Sequence, residues 1–222
     1  QQEHQLMRIH GIWGMGQLMV QGSDLGPVLM RYLSDEDAEI MAQTAKVLGD
    51  VKYAAAGPQF IALLGNVHPR VQFYAAQALG RIKDQAAVSG LLQMLVENKD
   101  QDVYSRHAAV LALSRIGAEQ PILDLVDSPN KSLRLAAVLV MRRWSHPDLK
   151  YFLTDEDEYI VLEAARAIND DWSVEEALPD LASLLKNTQL QSEALGRRVI
   201  NAASRLGSPE TLAWLVQFAQ SD

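Results

Sequence analysis

HPRVQFYAAQALGRI, residues 68–82, recurs along the chain as DVYSRHAAVLALSRI (102–116) and NKSLRLAAVLVMRRW (130–144). With Leu79 as anchor, the equivalent positions are Met15, Leu48, Leu113, Met141, Ile168 and Ala203. The successive spacings are 33, 31, 34, 28, 27 and 35 residues. Self-similarity at this period marks a stack of supersecondary units that bury their apolar faces against one another. Four residues before the anchors stand Gly11, Thr44, Ala75, Ala109, Ala137 and Ala164, a small-residue column that predicts close approach of helix backbones. Eight before stand Met7, Ile40, Val71, Ser105, Leu133 and Ile160. Three after stand Leu18, Val51, Ile82, Ile116, Trp144 and Asp171. These offsets share one face of a 3.6-residue helix and predict its buried stripe.

Second amphipathic segments lie between the anchor helices, among them DLGPVLMRYL, AAVSGLLQMLVEN and HPDLKYFL. Pro27, Pro58, Pro121, Pro147 and Pro179 fall in their first turns, where a missing N–H costs little. Asp35-Glu36-Asp37 and Asp155-Glu156-Asp157 precede anchor helices and suit N-caps at the positive end of the helix dipole. The pattern Val-Arg-x-x-Ala-Ala-x-Ala-Leu-Gly on repeated helix pairs resembles the HEAT repeat in its short bacterial form. The expected fold is all-α: a right-handed α-solenoid of about seven HEAT-like helix pairs, with residues 1–222 forming a single HEAT-repeat domain. The anchor helices are expected to line its concave side. The chain opens QQEHQLMRIH, without an initiator Met or an apolar signal segment, and reads as excised from a longer chain.

Composition narrows the chemistry. A net charge of −8 with a pI near 5.1 argues against a nucleic-acid surface, which needs a basic stripe to displace counterions from phosphates. With no cysteine, disulfides, thiolate metal sites, a Cys nucleophile and a C-x-x-C-H haem attachment are excluded from this chain. No apolar run approaches the ~18 residues of a membrane span, so this segment is not expected to insert. The five histidines (His4, His10, His68, His107, His146) are scattered over the repeats. H-E-x-x-H, G-x-S-x-G and phosphate-binding glycine motifs are missing, and Gly14-Met15-Gly16 falls inside a repeat helix. Between Thr154 and Asp180, ten acidic residues, Asp171 among them, face one basic residue, Arg166. Carboxylates on turns can hold Ca²⁺, but EF-hand spacing and its glycine are lacking, and N-caps on solvated turns account for them better. No catalytic residue, cofactor or metal is expected in this chain.

Seven residues before the anchors, Arg8, Arg106 and Arg134 recur; the expectation is an arginine that pairs with an acidic residue of a neighbouring inter-helix turn. One position later stand Ile9, Ala42, Phe73, His107, Leu135 and Leu162, so His107 is polar in an otherwise apolar column. It is either a partly buried histidine satisfied by a local hydrogen bond or the mark of a pocket or partner contact. Offsets of five before, two before and two after the anchor define an outward ridge. Aromatic and arginine residues there suit protein contacts, which they enrich. The interaction candidates are Trp13, Tyr74, Arg81, His107, Leu111, Arg115, Leu139 and Arg143.

The succession of RIHGIWGMGQL, DVYSRHAAVLALSRIG, LRLAAVLVMRRW, FLTDEDEYIVLEAARAINDD with ALPDLASLL, and RRVINAASRLG is more specific still. In this order the strings resemble the HEAT segment of the PVC-type haem-binding, membrane-bound-dehydrogenase-like multidomain proteins, over about residues 6–219. The resemblance implies an exported, periplasmic or extracytoplasmic parent. A sugar-dehydrogenase-like propeller would precede the array and a c-type cytochrome domain would follow it. The expected function is a non-catalytic HEAT scaffold that mediates protein–protein or interdomain contacts. The alternatives are a free-standing protein-binding adaptor, a lyase acting on a bound chromophore, or a helical-repeat DNA glycosylase.

Overall fold

A computed structural model of the chain describes residues 2–170, 174–186, 190 and 192–220. The described residues contain helices and turns and no strand. They fall into two compact units, residues 1–119 and 120–222. The first unit holds α1 (Gln2–Val20), α2 (Gly26–Met30), α3 (Ala38–Asp50), α4 (Gly57–Leu63), α5 (Pro69–Ile82), α6 (Val88–Asn98) and α7 (Val103–Ile116). After α8 (Glu119–Leu123) at the junction, the second holds α9 (Lys131–Trp144), α10 (Glu158–Asn169), α11 (Leu178–Ser183), α12 (Glu193–Leu206) and α13 (Pro209–Gln220). The long helices α3, α5, α7, α9, α10 and α12 each carry an anchor. The connecting helices are shorter and several run into 3₁₀ turns, as at Arg31–Ser34 and Pro147–Thr154. Their prolines sit at first turns as expected: Pro27, Pro58 and Pro179 in α2, α4 and α11, and Pro147 opening a 3₁₀ segment.

The anchor stripe forms the core. Ile40, Leu48, Val71, Leu79, Leu113, Met141, Ile160 and Ile168 are fully buried; each large aliphatic side chain contributes about 1.5–3 kcal/mol on leaving water. Helix α1 departs from the stripe. Met7 is 61% and Leu18 47% exposed, while Ile9 and Ile12 are buried instead. In α1 the face that points to the core is therefore rotated toward α3, and the face carrying Met7, Gly11 and Leu18 meets solvent. The equivalent position Asp171 lies outside the described residues.

A close helix approach lies one residue after the anchor. A Cβ on Gly49 would stand 2.8 Å from the Ala78 Cα, and one on Gly80 would stand 2.6 Å from the Ala112 Cα. Each glycine follows its anchor directly, and each alanine precedes the next anchor directly. The Gly of Ala-Leu-Gly is thus where α3 meets α5 and α5 meets α7, backbone against backbone. The small residues at four before, such as Ala75 and Ala109, are buried in support of that contact.

The two acidic triplets repeat one device. Asp37 and Asp157 are the N-caps of α3 and α10, accepting from the backbone N–H groups of Glu39 and Tyr159 at 2.9 and 3.1 Å. Asp35 and Asp155 each accept the N–H of the capping residue and also receive an arginine. Arg8 pairs with Asp35; Arg134 donates to Asp155 at 2.8 Å, to Glu156 at 2.9 Å and to the Ser128 carbonyl at 2.9 Å. Arg106 also reaches an acid of a neighbouring inter-helix turn, but of the turn before its helix rather than the one after it. It pairs at 3.3 Å with Asp100 in the loop that leads into its own helix, where left-handed Lys99 and Asp100 (φ 47° and 59°) turn the chain back toward α7.

Candidate protein-docking ridge

In the first unit the ridge side chains are bonded from helix to helix. The Trp13 indole N–H donates to Gln43 Oε1 at 2.9 Å, Gln43 Nε2 donates to Glu39 Oε1 at 2.7 Å, and Arg70 Nε reaches Glu39 Oε2 at 2.7 Å. Arg70 then lies over the Tyr74 ring, 5.2 Å from its centroid, and Phe73 meets Tyr74 edge-on at 5.2 Å. At the other end of the helices, Asp50 receives Lys46 at 2.6 Å and Arg81 at 3.2 Å. Glu39 and Arg70 hold equal offsets from their anchors, as do Asp50 and Arg81. Matching offsets meet at both ends, so α3 and α5 run side by side in the same direction. The Trp13 and Tyr74 rings are each held by a polar partner, which reduces the rotamer freedom they would lose on binding.

The eight candidates do not stand alike. Trp13 is 44% exposed and tilted against His10. Tyr74, Arg81 and Leu111 are half-buried, and Arg115 is exposed. His107 corrects the first of its two readings. It is exposed on α7 and makes no hydrogen bond among the described residues, while its equivalents Ile9, Ala42 and Leu135 are buried. The physical reason lies in its column, which runs along the border of core and ridge. Phe73 and Leu162 in the same column are also half-exposed, and a polar ring at that border turns outward rather than losing hydration. In the second unit, Leu139 is half-buried and Arg143 exposed on α9.

One latch was missed in the sequence. Arg198 of α12 holds Asp170 with two bonds, at 2.9 and 2.6 Å, and Asn201 donates to buried Asn169 at 3.0 Å. The strings containing Ile-Asn-Asp and Arg-Arg-Val-Ile-Asn are therefore the two halves of one inter-helix contact. Pairing of an acid at the end of one repeat with an arginine in the next was the available signal. Among the described residues, no group of three or more His, Asp or Glu side chains is placed to hold a metal ion, and no helix is long and apolar enough to cross a membrane.

Residues 57–142 and 147–222, well over half of the chain, match a family model of HEAT repeats. The chain belongs to the HEAT-repeat family. No curated protein matches it. Among solved structures, this HEAT array is similar to a chain of the complex of CpcE and CpcF of phycocyanin lyase from Nostoc sp. The identity is 23%, the TM-score 0.50, and the match covers 89% of this chain and 88% of that chain. It is also similar to two engineered proteins, each 18% identical, with TM-scores of 0.43 and 0.42 and coverage of 83% and 88% of this chain. They are covered over 97% and 62% of their own lengths. The likeness to the phycocyanin lyase chain overturns the expectation of a non-catalytic chain. An array of this fold is part of an enzyme there, so HEAT architecture gives no ground for excluding catalysis.

Proposed function

We propose that this HEAT array is a protein-docking scaffold in which each unit contacts a partner protein or neighbouring domains through its own outward face, with Trp13, Tyr74, Arg81, His107, Leu111 and Arg115 in the first unit and Leu139 and Arg143 in the second. The observation that carries it is the bonded row from Trp13 through Gln43, Glu39 and Arg70 to Tyr74, which holds aromatic rings in place on an accessible face. A photo-crosslinking amino acid at Leu111 or Leu139 is expected to give protein adducts in the native host. The same group at Val67, 87% exposed on a connecting turn, serves as the control. Equal labelling from all three positions would refute the ridge. The resemblance of the repeat strings supports placing the scaffold in an exported redox parent, between a propeller and a c-type cytochrome domain. The coding sequence to either side tests that placement: a propeller before and C-x-x-C-H after support it, and unrelated domains sink it.

A second reading is favoured by the likeness to the phycocyanin lyase chain. In it the array handles a chromophore and the protein that accepts it. Mixing the chain with a bilin and an acceptor protein would then change the visible absorbance spectrum, and an unchanged spectrum removes this reading.

A further inference from the structure

Between α1 and α3 the ridge opens into a groove of about 350 Å³, lined by Trp13, Val20, Val47 and Val51 with buried Gly16 at its base. That volume stands at the low end of ligand sites. The lining is mostly apolar, and its charge is confined to Lys46 and Asp50. Asp50 is shared: Oδ2 takes Lys46 Nζ at 2.6 Å and Oδ1 takes Arg81 Nη2 at 3.2 Å. Arg81 reaches this lining carboxylate from α5, outside the lining itself, so two cations share Asp50 and leave an excess positive charge at the edge of the groove nearest α5. Through Glu119 the chain carries ten Lys and Arg against twelve Asp and Glu, so this edge opposes the sign of its own unit. An apolar slot beside an under-neutralised cation pair is complementary to an apolar side chain with a carboxylate next to it.

We propose that this groove is the anchor pocket for an acidic partner segment, an apolar side chain entering between Trp13 and Val47 while an adjacent carboxylate joins Lys46 and Arg81. The inference rests on the ridge reading and gives its partner a chemistry. Asp50 organises the pocket by holding both cations at that edge in advance of binding, so the partner's carboxylate meets donors already positioned.

The test uses the full chain and a fluorescein-labelled peptide, Gly-Ser-Leu-Asp-Glu-Asp-Gly, read by anisotropy. Relatives of the peptide carry Ser in place of Leu, or Lys in place of the acids. The acidic leucine peptide is expected to bind saturably and to weaken with salt. Loss of the leucine should cost tenfold or more, and the lysine peptide should not bind. Val20→Trp, which fills the groove from an exposed position, should weaken binding at least fivefold with helical content unchanged. Lys46→Gln should weaken it several-fold and flatten its salt dependence. Absence of binding, equal binding of the three peptides, or an unaffected Val20→Trp variant would each overturn the proposal. Self-association of the chain abolished by Val20→Trp would assign the groove to a second copy and overturn it too. Ridge crosslinks from Leu111 that persist after such a failure would leave the docking scaffold standing without this pocket.

Discussion

Arg134 is 6% exposed and carries a full charge, a combination tolerated only because Asp155, Glu156 and a carbonyl surround it. Arg134→Ala would leave Asp155, itself buried, without its cation. The expected loss is about 3 kcal/mol of unfolding free energy, measured by urea denaturation. The partly exposed pair of Arg106 with Asp100 should matter much less, so Arg106→Ala is expected to cost under about 1 kcal/mol in the same assay. The sequence column grouped these arginines together because they share a helix offset. Which carboxylate each one reaches depends on where the turn before the next helix lies, and spacing along the chain does not reveal that. His107 teaches the same lesson: its column was readable, but only packing shows that the column straddles the border of the core.

Helices α3, α7 and α10 each begin on an aspartate whose side chain accepts backbone N–H groups, and these caps were legible as polar residues before an apolar-periodic run. Asp102 caps α7 and also accepts the Ser105 hydroxyl at 2.6 Å. Asp102→Ala is expected to destabilise the chain by about 1–2 kcal/mol, seen as a lowered urea midpoint. The contact of Gly80 with Ala112 belongs to this scale as well. Gly80→Ala would gain helix propensity but drive a methyl group onto the Ala112 Cα, 2.6 Å away. A net destabilisation of about 1–3 kcal/mol is expected by the same assay, the reverse of what an exposed helical glycine would show. The repeat pattern contained that glycine, and the expectation of close approach was placed on the small residues four before the anchor, which are buried as well. A small side chain is necessary for backbone contact, and the distance at which Gly80 meets Ala112 depends on the rotation of one helix against the next.

Acid should loosen the whole molecule in a defined direction. The Ser105 hydroxyl and the backbone N–H groups of Tyr104 and Ser105 hold the Asp102 carboxyl below the usual range. The Lys131 ammonium, at 2.6 Å, does the same for Asp157, helped by the N–H groups of Ile160 and Tyr159. At Asp170 burial acts to raise the pKa, but the hydrogen bonds and charge of Arg198 and the amide of Asn169 outweigh it. A depressed folded-state pKa stabilises fully above the unfolded value near 3.9, and that stability is lost as pH falls through the folded value. Thermal unfolding at pH 7 and pH 3 is the measurement, with a lower midpoint expected at pH 3. On the ridge, Arg115→Ala combined with Arg143→Ala is expected to weaken partner or interdomain binding about tenfold or more with helical content unchanged; unaltered binding would remove those two residues from the interface.

The period of about thirty residues, the helical stripe, the caps and the absence of cysteine were all determined by the sequence itself. Each rests on local chemistry or on a repeat that can be counted along the chain, and so the all-α HEAT class is legible in the sequence alone. The tertiary structure decided what depends on neighbours distant in sequence. It rotated α1 so that Met7 and Leu18 face solvent, chose Asp100 as the partner of Arg106, and exposed His107. It also brought Trp13, Val47, Lys46 and Asp50 around one groove, with Arg81 of α5 bonded to that Asp50. Helix periodicity fixes which residues share a face, whereas the rotation and separation of packed helices fix what that face meets.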